Sequence, residues 1–198
     1  DREVIAFHDE SLERVANISE KISDLTLKEL SQIKIDNYAT IPTLLELLEL
    51  LPEAKINIDP KSDSVVTPLI EMIEKTNSIS RVCIGSFSDK RLKQIRKSLG
   101  PKLCVSAGPK SVMKFLAGKY ARINSRFTYH CLQVPQRSGP VKIVTREFVQ
   151  RAHAKGLQVH VWTIDDPDKM HELLDLGVDG LMTDEPSTLK DVLIERKT

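Results

Sequence analysis

Apolar and polar positions alternate with period two over residues 157–162: Leu157, Val159 and Val161 share one face, and Gln158, His160 and Trp162 the other. This spacing predicts a strand with two unlike faces. Asp166 then stands at a helix N-cap position with Pro167 at the first helical position. Met170, Leu173 and Leu174 recur at helical spacing, and Gly177 follows the last turn as a stop. Residues 178–182 return as a strand. A connection this short between two strands that both need burial predicts a right-handed parallel crossover.

The same grammar recurs toward the N-terminus. Strands are expected at 4–7, 55–59, 81–85, 103–106 and 131–134, and helices at 64–76, 88–98, 109–117, 145–155 and 187–195. Thr26 with Glu29, and Thr43 with Glu46, fit capping boxes, in which the Thr hydroxyl takes one orphan backbone N–H and the Glu reaches back to another. Alternation of strand and helix predicts either a (β/α) barrel or an open doubly wound sheet, and the barrel is favoured. A full barrel takes about 250 residues, whereas the pattern here yields roughly six or seven strands. The expectation is a (β/α)8 TIM barrel lacking its N-terminal first strand and helix unit.

Composition narrows the class. A hydrophobic share of 40% supplies a core and a charged share of 29% a surface, so residues 1–198 are expected to form a single domain. The formal net charge of +1 gives no electrostatic case for nucleic acid or an anionic membrane. No apolar run approaches the length of a membrane span. Cys83, Cys104 and Cys131 fall in or beside expected strands without metal-type spacing. They read as core thiols of a reducing compartment, and a cytoplasmic location is expected. Residues 119–130 are basic and poor in aliphatic side chains, which predicts a surface loop.

In a barrel, residues at the C-terminal strand ends line the mouth where chemistry is found. Period-two counting over 55–61 puts Ile56, Ile58 and Pro60 toward the helices and Asn57, Asp59 and Lys61 toward the interior. Desolvating a carboxylate and an ammonium is costly unless each finds a partner or a metal, so a strand end carrying both marks a candidate site. The alternative is an ion pair that only neutralises the rim. The strand at 4–7 delivers His8 to its end, and histidine suits general acid or base work, although a lone histidine is more often structural. Trp162 lies on the interior face of its strand, with core packing as the alternative. One of Asp184 and Glu185 is expected to cap the last helix, with Pro186 in its first turn. His160 and Gln133 are expected to fill the interior below the mouth, while His130, His153 and His171 read as surface residues.

Several motifs now line up in order. They are His8-Asp9-Glu10-Ser11-Leu12 with Arg14, Asp24-Leu25-Thr26, Ile41-Pro42-Thr43-Leu44, Asn57-Ile58-Asp59-Pro60-Lys61, Ser86-Phe87-Ser88, Val161-Trp162-Thr163 and Gly177 to Gly180 through Thr183-Asp184 to Pro186. Together they resemble the glycerophosphodiester phosphodiesterase family over essentially the whole chain. The resemblance implies a TIM barrel of the PLC-like phosphodiesterase type with a small insertion at about residues 10–40. It implies hydrolysis of glycerophosphodiesters such as glycerophosphocholine or glycerophosphoethanolamine to glycerol 3-phosphate and an alcohol, a role in lipid metabolism, and Mg²⁺ or Ca²⁺ as cofactor.

By that similarity His8 matches the histidine that protonates the departing alcohol, Asp59 a metal-binding acid, Lys61 the lysine that neutralises the phosphate, and Trp162 the aromatic wall of the substrate pocket. The chain departs from the family at Asp59, where glutamate is usual. The family's His-Arg-Gly strand, Glu-Asn turn and Glu-x-Asp pair, which precede the His-Asp strand, have no counterpart here. Asp59 alone cannot fill the shell of a six-coordinate ion, so weak metal binding and poor turnover are expected of this chain. Two other readings stand beside the phosphodiesterase: a non-catalytic relative that binds phosphodiesters or a protein partner, and a lysophospholipase D or sphingomyelinase D type of barrel. The second would need an apolar rim for acyl chains, against an aromatic share of 5%.

Overall fold

A computed structural model describes residues 1–35, 38–118 and 129–197. In chain order these form α1 (Glu13–Ala16), a 3₁₀ turn (Ile22–Asp24), α2 (Leu27–Gln32), α3 (Leu44–Leu50), β1 (Ile56–Ile58), α4 (Val66–Lys75), β2 (Val82–Ile84), α5 (Asp89–Leu99) and β3 (Cys104–Val105). There follow α6 (Pro109–Ala117), β4 (Cys131–Pro135), β5 (Arg137–Ser138), β6 (Val141–Lys142), α7 (Arg146–His153), β7 (Gln158–Trp162), α8 (Pro167–Leu176), β8 (Gly180–Leu181) and α9 (Pro186–Glu195). Of the basic loop expected at 119–130, residues 119–128 lie outside the described residues.

The helix punctuation is as expected. Thr26 and Thr43 both form complete capping boxes, with Glu29 and Glu46 as the third helical residues. Asp166 caps α8 by accepting from the Lys169 N–H at 3.0 Å, and Gly177 ends it in the left-handed region at φ 88°. α9 starts on Pro186, but neither acid caps it. Glu185 occupies the N-cap position without a side-chain cap bond. The Asp184 N–H instead donates to Asp165 Oδ1 at 2.8 Å and the Glu185 N–H to Thr183 Oγ1 at 3.0 Å.

Contacts divide the chain into two compact units, Asp1–Ile84 with Lys93–Leu103, and Gly85–Leu92 with Cys104–Thr198. In the first, β1 and β2 pair in parallel through Ile56 with Val82, Asn57 with Cys83 and Ile58 with Ile84, and α4 supplies the crossover. The segment at about 10–40 packs round Leu12, Leu30 and Ile41. In the second unit β4, β7 and β8 are parallel neighbours, and Ser106 beyond β3 bridges to Cys131 in the same sense. The outer face of these strands gives Leu132, Val134, Val159 and Val161 to a core that Phe115, Phe148, Val149, Met170 and Leu173 complete from α6, α7 and α8. Thus the helical apolar stripes and the period-two strand pattern meet in one core.

Two expectations need correction. The segment at 4–7 is not a sheet strand: Ile5 makes a single antiparallel bridge to Thr43, the Ala6 N–H donates to Pro42 O at 2.9 Å, and the Leu44 N–H to Val4 O at 2.7 Å. Its backbone is thereby committed to the turn that leads into α3. The eight-stranded ring is accordingly not closed among the described residues. The antiparallel hairpin β5–β6 was also not foreseen, although Ser138-Gly139-Pro140, with Gly139 at φ 54°, carries the punctuation of a turn.

Thr43 is buried, and its hydroxyl both accepts from the Glu46 N–H at 3.1 Å and donates to Glu46 Oε2 at 2.9 Å. Thr43→Ala is expected to cost about 1–2 kcal/mol, read as a lower urea midpoint at unchanged slope. The Thr43 N–H holds the Glu46 carboxyl below its ordinary value. This part of the cap is therefore intact above the ordinary carboxylate range and is lost as pH falls through the lowered value.

Candidate active site

His8 follows the bridge at Ile5 and stands 76% exposed at its side chain. Its Nδ1 lies 2.7 Å from Asp9 Oδ1, while Asp9 Oδ2 accepts from Arg14 Nε of α1 at 2.6 Å. The Arg14 bond first, and the His8 bond second, lower the Asp9 carboxyl to about 2. An ionised carboxylate only accepts hydrogen bonds, so His8 Nδ1 must carry the proton shared with it. The Nδ1 contact thereby orients the imidazole.

At the end of β1 exposure follows a period of two. Asn57 and Lys61 are exposed and Asp59 is half-buried, while Pro60 on the opposite face is buried. Lys61 Nζ donates to Asp59 Oδ2 at 2.8 Å, so the ion pair weighed from the sequence is present. The side chains keep 41% and 27% of their exposure. An ion pair this wet contributes little to stability, so the ammonium can be redirected onto an anionic ligand at small cost. Among the described residues no three histidine or carboxylate groups converge on a common point.

In the second unit the register pairs Gln133 with His160 and Pro135 with Trp162, placing these side chains on the face opposite the helices. Gln133 and His160 fill space beside glycines: a Cβ at Gly85 would stand 2.5 Å from Gln133 Oε1, and one at Gly180 would stand 3.1 Å from His160 Cδ2. Burial lowers the His160 pKa, so the ring is neutral at pH 7. Both side chains lie against glycines of neighbouring strand ends. The other histidines hold local contacts, His153 Nε2 at 2.8 Å from Asp179 Oδ2 and His130 Nδ1 accepting from the Val105 N–H at 3.2 Å.

Trp162, at the end of β7, is half-buried and does not pack into the core. Its ring meets Phe87 edge to face, with centroids 5.7 Å apart and planes at 73°. Phe87 is the residue that sequence reasoning missed. It appeared only inside the Ser86-Phe87-Ser88 motif, and the available signal was an aromatic placed just past a strand end, between two polar residues. His8 and the Asp59–Lys61 pair belong to the first unit, and Trp162 and Phe87 to the second.

Comparison with known proteins supplies the context for these groups. The family model of the glycerophosphoryl diester phosphodiesterase family matches residues 1–188. A probable glycerophosphodiester phosphodiesterase 2 of Mycobacterium tuberculosis is 37% identical over 198 residues, covering 97% of this chain and 75% of the relative. A lysophospholipase D of Rattus norvegicus is 22% identical over 232 residues, covering 98% of this chain and 73% of the relative. The structure of an Oleispira antarctica phosphodiesterase in complex with the product sn-glycerol-3-phosphate superposes with a TM-score of 0.77 at 22% identity, covering 98% of this chain and 80% of that one. At that identity the superposition speaks to the fold alone, which is that of the TIM-barrel phosphodiesterases. With the family model spanning nearly every residue, the chain belongs to the glycerophosphoryl diester phosphodiesterase family.

Proposed function

We propose that this chain carries the catalytic face of an enzyme that hydrolyses glycerophosphodiesters, such as glycerophosphocholine or glycerophosphoethanolamine, to glycerol 3-phosphate and an alcohol. The observation that carries it is the exposed Asp59–Lys61 pair at the end of β1, in a chain whose family motifs run from His8-Asp9 to Pro186. Lys61 offsets charge on the phosphoryl oxygens, which gain charge as the transition state forms. His8, as the imidazolium with its Nδ1–H on Asp9, gives its Nε2 proton to the departing alcohol as the bond from phosphorus to the alcohol oxygen breaks. The new bond to phosphorus comes from the glycerol 2-hydroxyl, whose proton passes to solvent water. Water then opens the cyclic phosphate. In the second unit, the family resemblance assigns Trp162 an aromatic contact with substrate.

The donor set suits a hard divalent cation, Mg²⁺ or Ca²⁺. Mg²⁺ in particular is held by one or two carboxylates with water and substrate phosphate completing its shell, and Asp59 offers one such carboxylate. When bound, the ion would neutralise phosphate charge. One carboxylate holds it weakly, so Asp59 supplies only part of the ion's shell. A cytoplasmic location belongs to the same reading and rests on Cys83, Cys104 and Cys131, which form no disulfide. No helix among the described residues is long and apolar enough to cross a membrane.

The test is release of glycerol 3-phosphate from glycerophosphocholine, with Mg²⁺, with Ca²⁺ and with chelator. Release is expected only with metal. Folded protein that binds metal and leaves the diester intact would overturn the proposal. The name of the rat relative raises a second substrate, and lysophosphatidylcholine belongs in the same assay.

A further inference from the structure

We infer that Cys104 and Cys131, both in the second unit, form a two-sulfur site for a soft cation of low coordination number, of the Cu⁺ class. The inference stands apart from the phosphodiesterase reading, and Cys83, which belongs to the first unit, enters no step of it.

The two thiols are far apart in sequence, and the sheet brings them together. Ser106 bridges Cys131 in the parallel sense, the Ala107 N–H donates to Cys131 O at 2.9 Å, and the His130 N–H donates to Val105 O at 2.9 Å. A side-chain tie adds to these, with the Val105 N–H donating to His130 Nδ1 at 3.2 Å. Cys104 lies two residues before Ser106 and therefore on the same face, diagonally across from Cys131. Leu132 and Val134, on the other face of β4, go to the helix-packed core. The two Sγ atoms lie within 4.8 Å of each other. Cys131 is buried and Cys104 half-buried, so the site is dry at one end and reachable at the other.

Two kinds of link could join such a pair. A disulfide needs Cα atoms within about 7 Å, whereas diagonal neighbours on a sheet stand about 7–8 Å apart, so the strands would have to move. A bridging cation asks for less. Two bonds of about 2.3 Å from metal to thiolate span about 4.6 Å when collinear, which the spacing of the sulfurs accommodates. Thiolate donors suit Cu⁺ and Zn²⁺ alike, but Zn²⁺ takes four ligands in a tetrahedron. Among the described residues no histidine or carboxylate comes within that distance of both sulfurs, so the ion content with two donors fits better. On binding, each S–H bond breaks as its sulfur takes the cation; two protons leave to water and no oxidation state changes. The complex keeps one negative charge, which its Cys104 end shares with solvent.

The reduced chain is titrated with Cu⁺ without oxygen, in competition with a chromophoric Cu⁺ chelator. It is expected to retain one cation per chain, with a Cu-thiolate band in the ultraviolet, and about a hundredfold excess of Zn²⁺ is expected not to displace it. Cys104→Ser and Cys131→Ser are each expected to weaken retention by about a hundredfold, because a single thiolate no longer closes a chelate. Circular dichroism shows whether each variant folds, and the half-buried Cys104→Ser decides the matter if the buried Cys131→Ser does not. Retention unchanged in folded Cys104→Ser, or X-ray absorption that finds nitrogen rather than sulfur around the metal, would overturn the inference. Turnover of glycerophosphocholine does not enter this test, so either reading can fail alone.

Discussion

Replacing His8 by alanine is expected to lower kcat for glycerophosphocholine hydrolysis by about 10²–10⁴-fold with little change in KM. Choline leaves as an alkoxide unless it is protonated as the bond breaks, so the missing acid is felt in the transition state and hardly at all in binding. The diagnostic comparison uses a glycerophosphodiester whose leaving group is 4-nitrophenolate, which departs without help. There the loss in His8→Ala is expected to shrink to within about tenfold of wild type. An equal loss on both substrates would mean that His8 orders the loop or binds phosphate instead. Asp9→Ala is expected to act in the same direction but more weakly, because it frees the imidazole to turn without removing it. Asp9 titrates at about 2, below its ordinary 3.8, through Arg14 first and His8 second. The orientation it supplies is fully present above the ordinary value and fades as pH falls toward 2. Its loss therefore belongs to acid conditions and cannot explain a neutral-pH limb of the rate profile.

The parts of this molecule that were legible in the sequence are those set by neighbours along the chain. Both threonine capping boxes, the Asp166-Pro167 start and the Gly177 stop depend on residues within one helical turn, and all four appear. Period two correctly separated Val159 and Val161, which are buried, from His160 and Trp162, which face away from the helices. What failed depended on partners distant in sequence. Residues 4–7 have the apolar pattern of a strand, but that pattern does not say whether the ladder partner is a parallel strand or the turn before α3. The two acids ahead of α9 offered a cap that Glu185, at the N-cap position, does not make, while Asp165 and Thr183 instead take the N–H groups of Asp184 and Glu185. Phe87 carried no periodic signal at all, since its significance lies in a ring contributed by β7. For the candidate site, sequence delivered residue types to strand ends and left the pairings open. One of those pairings, Lys61 on Asp59, sets up an opposition that can be measured.

Under the proposed function Lys61 and a divalent cation would compete for the Asp59 carboxylate, to whose Oδ2 Lys61 Nζ donates at 2.8 Å. Two substitutions at this pair are therefore expected to move the metal requirement in opposite directions while both slow the enzyme. Asp59→Asn removes the anionic ligand and is expected to raise the Mg²⁺ or Ca²⁺ concentration for half-maximal rate by on the order of tenfold or more. Lys61→Met keeps a long apolar stem, frees the carboxylate and is expected to lower that concentration, while kcat/KM falls by about 10²–10³-fold because the phosphoryl oxygens lose their fixed positive charge. Asp59→Glu extends the reach by one methylene and is expected to tighten metal without loss of rate. Since both side chains of the pair are substantially exposed, neither Asp59→Asn nor Lys61→Met is expected to shift the unfolding midpoint appreciably. Rates titrated with metal, beside thermal melts of the same samples, separate these effects. If both variants demand more metal, Lys61 is helping to hold the ion in place; if neither changes the demand, Asp59 is not a ligand and the pair only neutralises the strand end.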